Sequence, residues 1–261
     1  MRQVTSRDGT TIAYDQTGSG PVVIFVGGAW SYRAYVGNAR LAELLRDRFT
    51  VISYDRRGRG DSGDTRPYAV AREVEDLDAL IQAAGGSAHV YGMSSGAALA
   101  LAAAASGLNI TRLALYEPPY MVGEGGHRPP ADHQQHLVSL IAADRRSEAN
   151  RYFMRKVMGI PALIVFVMRL FPFWSRLKAV AHTLPYDSAI MGDFSLPTAR
   201  AAAVRVPTLV IGGEKSPEVL RQAVQAVADV IPLAERRVLK GQTHNVSMKV
   251  LAPVLAEFFG R

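Results

Sequence analysis

The 261-residue sequence contains no cysteine. Disulfides, thiolate metal sites and a cysteine nucleophile are thereby excluded, leaving serine, histidine and the carboxylates to carry any chemistry. Long apolar runs are absent as well. The longest, Ile160 to Met168, stops at Arg169, well short of the ~20 residues that cross a bilayer, so no membrane span is expected. The first residues, Met1-Arg-Gln-Val-Thr-Ser-Arg-Asp-Gly, lack the apolar stretch of a secretory signal, and a cytoplasmic location is expected. Acidic residues are in short supply, 23 against 30 Lys and Arg, for a net charge of +7. The excess reads as scattered, with no long basic helix face or aromatic-basic array, so no nucleic-acid partner is expected. The densest cluster, Arg56-Arg57-Gly58-Arg59, lies in a glycine-rich loop, where a solvated, structural role is expected.

What the chain does have is apolar content, 48% of its residues, enough for one sizeable core. Residues 11–14, 21–26, 49–54, 88–91, 111–116, 208–211 and 236–239 read as strands. Stretches 39–46, 70–84, 97–105, 217–228 and 248–259 carry helical spacing, as at Leu41, Leu44 and Leu45. Strands alternating with helices predict an α/β fold, a mostly parallel sheet with helices on both faces. Residues 118–196 break the rhythm with helical segments separated by Gly and Pro. They are expected to form a helical cap inserted into a core domain of residues 1–117 and 197–261. The stretch from Ile160 to Trp174 is too apolar for an exposed helix face, which predicts that it packs on the main domain or roofs a pocket.

Gly92-Met93-Ser94-Ser95-Gly96 fits G-x-S-x-G between a strand and a helix, the setting in which a sharp turn presents a serine hydroxyl. Serine needs a base within hydrogen-bonding reach. Of the six histidines, His244 follows the last strand in a loop that can reach Ser94; His89 lies within a strand, and His127, His133, His136 and His182 fall in the cap. Ser94 as nucleophile and His244 as general base need neither metal nor organic cofactor, and none is expected.

Four landmarks in this order resemble the α/β-hydrolase superfamily over nearly the whole length outside the cap. They are Val26-Gly27-Gly28-Ala29-Trp30, the loop Tyr54-Asp55-Arg56-Arg57-Gly58-Arg59-Gly60-Asp61-Ser62, the Ser94 turn, and Pro207-Thr-Leu-Val-Ile-Gly-Gly with the His244 loop. The resemblance implies an oxyanion hole from the amides of Ala29 and Ser95, with Gly27 standing where many relatives have histidine. It also implies that Asp55 and Arg57 tie their loop down. Trp30, Met93, Phe166 and Phe173 are the candidates for contact with substrate, plain packing being the alternative for Trp30.

The acid is harder to place. In most relatives an aspartate follows the strand 208–211, and the matching position is Ser216. Glu214 and Glu117 are the replacements, and a Ser-His pair without an acid is a third arrangement. Glu117 is preferred because it follows strand 111–116, as does the alternative acid of some haloalkane dehalogenases. A serine at position 94 argues against dehalogenase or epoxide hydrolase chemistry. The leading expectation is hydrolysis of a hydrophobic or aromatic carboxylic ester, thioester or related acyl compound, with self-association as a homo-oligomer left open. A cofactor-free lyase, oxygenase or C–C bond hydrolase, and a ligand receptor or biosynthetic accessory protein without turnover, are the alternatives.

Overall fold

The computed structural model describes residues 1–123 and 127–261. Eight strands run in chain order: β1 (Arg2–Thr5), β2 (Thr11–Thr17), β3 (Val22–Val26), β4 (Thr50–Tyr54), β5 (Ala88–Met93), β6 (Ile110–Tyr116), β7 (Thr208–Gly213) and β8 (Ala234–Leu239). They form one sheet in the order β1-β2-β4-β3-β5-β6-β7-β8. Pairings from β4 through β8 are parallel, and β1 and β2 add an antiparallel edge. The α/β class read from the alternation is the class observed. Strand β1 was not expected, because Arg-Gln-Val-Thr is short and mostly exposed and carries no apolar run to mark it.

Continuous apolar strands arise because both faces of the sheet are covered. Val23 and Phe25 of β3 face one layer with α1 (Val36–Leu45) and α11 (Met248–Phe259). Ile24 and Val26 face the other, with α2 (Val70–Ala83), α3 (Ser95–Ala105) and α10 (Glu218–Val230). Helix α3 is buried from Ser95 through Ala103. Its run of alanines lets it lie close to the sheet on one side and to later helices on the other.

Between β6 and β7 come α4 (His133–Ala142), α5 (Arg146–Tyr152), a π turn at Phe153–Val157, α6 (Ala162–Met168) and α7 (Phe173–Val180). A 3₁₀ turn at Ala181–Thr183, α8 (Leu184–Met191) and α9 (Thr198–Ala202) complete the interval. This is the stretch expected as the cap; its residues 124–126 lie outside the described residues. An isolated parallel bridge joins Met121 to Ser195 at its base. Among the described residues no helix is long and apolar enough to cross a membrane.

The expected burial of Ile160 to Trp174 is corrected. Val165 and Trp174 are buried, but Leu163, Phe166, Leu170 and Phe171 are all more than half exposed. Helices α6 and α7 are only seven and eight residues long, and so short a pair turns one side of itself to the core and leaves the other in water.

Candidate active site

Strand β5 ends at Met93 and α3 starts at Ser95, so Ser94 alone makes the turn, at φ 56° and ψ −128°. That conformation is strained for a residue with a Cβ. It persists because the neighbours leave no alternative: the Ser94 N–H donates to the Tyr116 carbonyl on β6 at 2.9 Å. The flanking glycines are required sterically. A Cβ on Gly92 would come within 2.6 Å of the Gly96 carbonyl oxygen, and one on Gly96 would collide with the Val26 carbonyl. Opposite lies the loop after β3, so near that a Cβ on Gly28 would stand 3.0 Å from the Ser94 Cβ. Ala29 follows in that loop. Ser95 occupies the first turn of α3, whose N–H groups have no partner within the helix.

Met93 of β5 pairs with Tyr116 of β6, and Tyr116 pairs with Ile211 of β7. Ser94 and Glu117 therefore leave adjacent strands at the same edge of the sheet. Glu117 is fully buried and also has positive φ, 44°. One carboxylate oxygen lies 2.7 Å from His244 Nδ1. The other accepts the Gly213 N–H at 2.6 Å and the Ser216 hydroxyl at 2.5 Å. Burial pushes the Glu117 carboxyl upward, but the hydrogen bonds from His244, Gly213 and Ser216 outweigh it and hold the group below its ordinary range. An ionised carboxylate only accepts, so Nδ1 carries a proton, and in the neutral imidazole Nε2 then keeps its lone pair, the tautomer a general base needs. The His244 loop is tied down where the Tyr116 hydroxyl donates to the Thr243 carbonyl at 2.7 Å.

Glu214, the other candidate acid, is turned elsewhere: its carboxylate accepts the Gly241 N–H at 2.8 Å. Ser216, at the position where the resemblance implies an aspartate, donates to Glu117 instead. Trp30 sits at φ 58°, donates from its indole nitrogen to Asn150 Oδ1 at 2.9 Å, and meets the Phe153 ring edge-to-face at 5.2 Å between centroids. It thereby links the loop after β3 to α5 and the π turn. Met93 and Ser94 are partly buried. Phe166 and Phe173, expected to touch substrate, are exposed; Phe173 stacks on Phe171 and lines a shallow surface depression. Both rings occupy the side of α6 and α7 turned from the core.

The arginine cluster, expected to be solvated, is buried. Arg57 pairs with Asp76 and Asp8, and Asp55 accepts the backbone N–H of Arg33 and of Asp61, so these two side chains do tie the loop down. Arg56 grips Glu73 through two hydrogen bonds of 2.6 and 2.7 Å and reaches Asp187 of α8 at 2.7 Å. Arg59 meets the other Asp187 oxygen at 2.6 Å. The same guanidinium groups donate to the Gly27 carbonyl at 3.2 Å and the Gly28 carbonyl at 2.7 Å, while Ser95 Oγ donates to Asp187 at 2.8 Å. Burial raises the Asp187 carboxyl, and Arg59 and Arg56 more than reverse it. Asp187 thus joins the loop beside Ser94, the residue after Ser94 and helix α8 in one buried network. The sequence reading missed Asp187 and Glu73. One signal was available: three arginines within four residues of a glycine-rich loop require carboxylates if the loop is packed.

Comparison with known proteins agrees with this architecture. The profile of the alpha/beta hydrolase family matches residues 23–253. An alpha/beta hydrolase from Sphaerobacter thermophilus DSM 20745 is 56% identical, with TM-score 0.94, over 99% of this chain and 100% of its own. A thermophilic esterase from Thermogutta terrifontis is 21% identical, with TM-score 0.74, over 99% of this chain and 97% of its own. A meta-cleavage product hydrolase from Pseudomonas fluorescens IP01 is 18% identical, with TM-score 0.69, over 100% of this chain and 97% of its own. The last two share the fold. Both the family profile and the 56% identical structure extend across the strands that carry Ser94, Glu117 and His244, and the chain belongs to the α/β-hydrolase family.

Proposed function

We propose that the chain is a serine hydrolase of hydrophobic carboxylic esters, thioesters or related acyl compounds, working beneath a cap formed by residues 118–196. The observation that carries this reading is the buried Glu117 carboxylate 2.7 Å from His244 Nδ1, in a chain whose strained Ser94 leaves the neighbouring strand at the same sheet edge. Ser94 Oγ attacks the acyl carbon as its proton passes to His244 Nε2. Negative charge gathers on the acyl oxygen, where the amides of Ala29 and Ser95 receive it. The imidazolium, stabilised by Glu117, returns the proton to the departing alcohol or thiol. Water then adds to the acyl-enzyme with His244 again taking the proton, and the acid leaves as Ser94 Oγ is restored. A hydrolase that shares the fold at low identity is described as an esterase, which supports the choice of substrate class.

The test is covalent labelling by a fluorophosphonate, followed by peptide mass spectrometry, beside turnover of short p-nitrophenyl esters. Label on Ser94, with Ser94→Ala losing several orders of magnitude in turnover, is the expected result. Label absent from Ser94, or Ser94→Ala keeping more than about a tenth of the activity, overturns the assignment.

A further inference from the structure

The excess positive charge is not spread over the chain. Between Ala149 and Tyr186 there is no Asp or Glu, and Arg151, Arg155, Lys156, Arg169, Arg176 and Lys178 all fall there. The remainder carries 24 Lys and Arg against 23 Asp and Glu, close to neutral. All six cations are exposed. Arg151 lies 3.7 Å from Glu148, while the other five make no ion pair among the described residues.

The same segment concentrates exposed apolar side chains. Leu163 is 73% exposed, Leu170 71%, Phe166 56% and Phe171 53%. Leu163, Phe171 and Phe173 line a shallow apolar depression on α6 and α7. Beneath it Val165 and Trp174 pack on Met154, and Trp30, next to Ala29, packs against that cluster. Contiguous exposed apolar surface is uncommon on a protein that has no partner for it. Here Arg169 at the end of α6 and Arg176 and Lys178 on α7 are exposed in the same two helices, and their charge defines what the partner must offer.

We propose that the α6–α7 face docks on an anionic lipid bilayer surface, its Leu and Phe side chains entering the headgroup region and the surrounding Arg and Lys meeting lipid phosphates. Neither helix is long enough to span a bilayer, so the contact is interfacial. Anionic lipid draws basic side chains to the surface, and apolar side chains that stand above the protein then find a medium to enter. A second copy of this chain is the poorer occupant, because a two-fold contact on this face would set unpaired cations against the same cations. The docking stands on this surface alone and does not depend on the proposed hydrolase chemistry.

The experiment is co-sedimentation of the whole protein with vesicles of phosphatidylcholine containing about 30% phosphatidylglycerol, and with pure phosphatidylcholine vesicles, at low salt and at about 0.5 M NaCl. Expected are binding at least about tenfold stronger to the anionic vesicles and loss of most of it at high salt. The double variants Leu163→Ser with Leu170→Ser, and Arg169→Glu with Arg176→Glu, alter exposed side chains only; each should lose vesicle binding by about tenfold with melting temperature unchanged. Equal binding to both vesicle types, no binding to either, or binding undiminished in both variants overturns the proposal. So does a dimer by light scattering that dissociates in Leu163→Ser with Leu170→Ser.

Discussion

Glu117 and His244 stand 127 residues apart in the chain and 2.7 Å apart in the fold. The carboxylate is closed in on its other side by the Gly213 amide and the Ser216 hydroxyl, so its orientation does not rest on the histidine alone. Glu117→Gln keeps the shape and removes the charge that stabilises an imidazolium. Turnover of a p-nitrophenyl ester should fall by about 10²-fold or more. Glu214→Gln should change it little, because that side chain caps a turn at Gly241. Kinetics and melting curves on both variants check the pair; a crippled Glu214 variant would move the acid to the later strand.

Ser94 pays in backbone strain for its place at the turn, at φ 56°. Glycine reaches that conformation freely. Ser94→Gly should therefore be more stable than Ser94→Ala by about 1 kcal/mol, with both variants inactive. Urea unfolding of the two variants measures the difference, and equal midpoints would mean that the turn is unstrained.

Asp187 is the single carboxylate shared by Arg56, Arg59 and Ser95. Asp187→Asn leaves two buried guanidinium groups short of a counter-charge, and about 3 kcal/mol or more of stability should be lost. Ser95→Ala, which removes only one hydrogen bond from the network, should cost about 1 kcal/mol. Chemical denaturation of the two variants reads both losses, and an Asp187→Asn protein as stable as the parent would show that Glu73 alone neutralises the cluster.

His89, in β5, lies between the Thr111 hydroxyl at 2.7 Å and the ring of Phe259, stacked at 5.0 Å. Burial, with Arg112 nearby, lowers its pKa from 6.5 to about 4. The native protein thus declines a proton that the unfolded chain accepts. Stability from this source is complete above pH about 6.5 and declines as pH falls toward about 4. Glu117, held below its ordinary 4.5, contributes stability that is full above that value and lost at more acid pH as the carboxylate protonates. Melting temperature followed from pH 7 to 4 should fall with a slope that His89→Gln flattens between about 6.5 and 4, leaving the more acid loss in place.

Several features were legible in the residues themselves. Apolar runs alternating with helical spacing predict a parallel sheet, because both periodicities are local and survive without knowledge of the partner. Gly92 and Gly96 mark the Ser94 turn for the same reason: the collisions they avoid lie within a strand, a turn and a helix that follow one another directly. The edge strand β1 escaped, since a four-residue, mostly exposed strand has no pattern to declare it.

Tertiary structure decided what depends on residues far apart. Glu117 and Glu214 are both carboxylates after strands that end at the same sheet edge, and no local spacing distinguishes them; the order β6-β7-β8 and the direction of each side chain turn one to His244 and the other to Gly241. Arg56 and Arg59 look like solvated charges until α8 brings Asp187 from more than a hundred residues away to neutralise them. The sequence determined that Ile160 to Trp174 is apolar, whereas packing decided which side of it faces water. A chain's local periodicities set its elements, but the low dielectric of the interior rewards or forbids a charge according to neighbours that only the folded topology supplies.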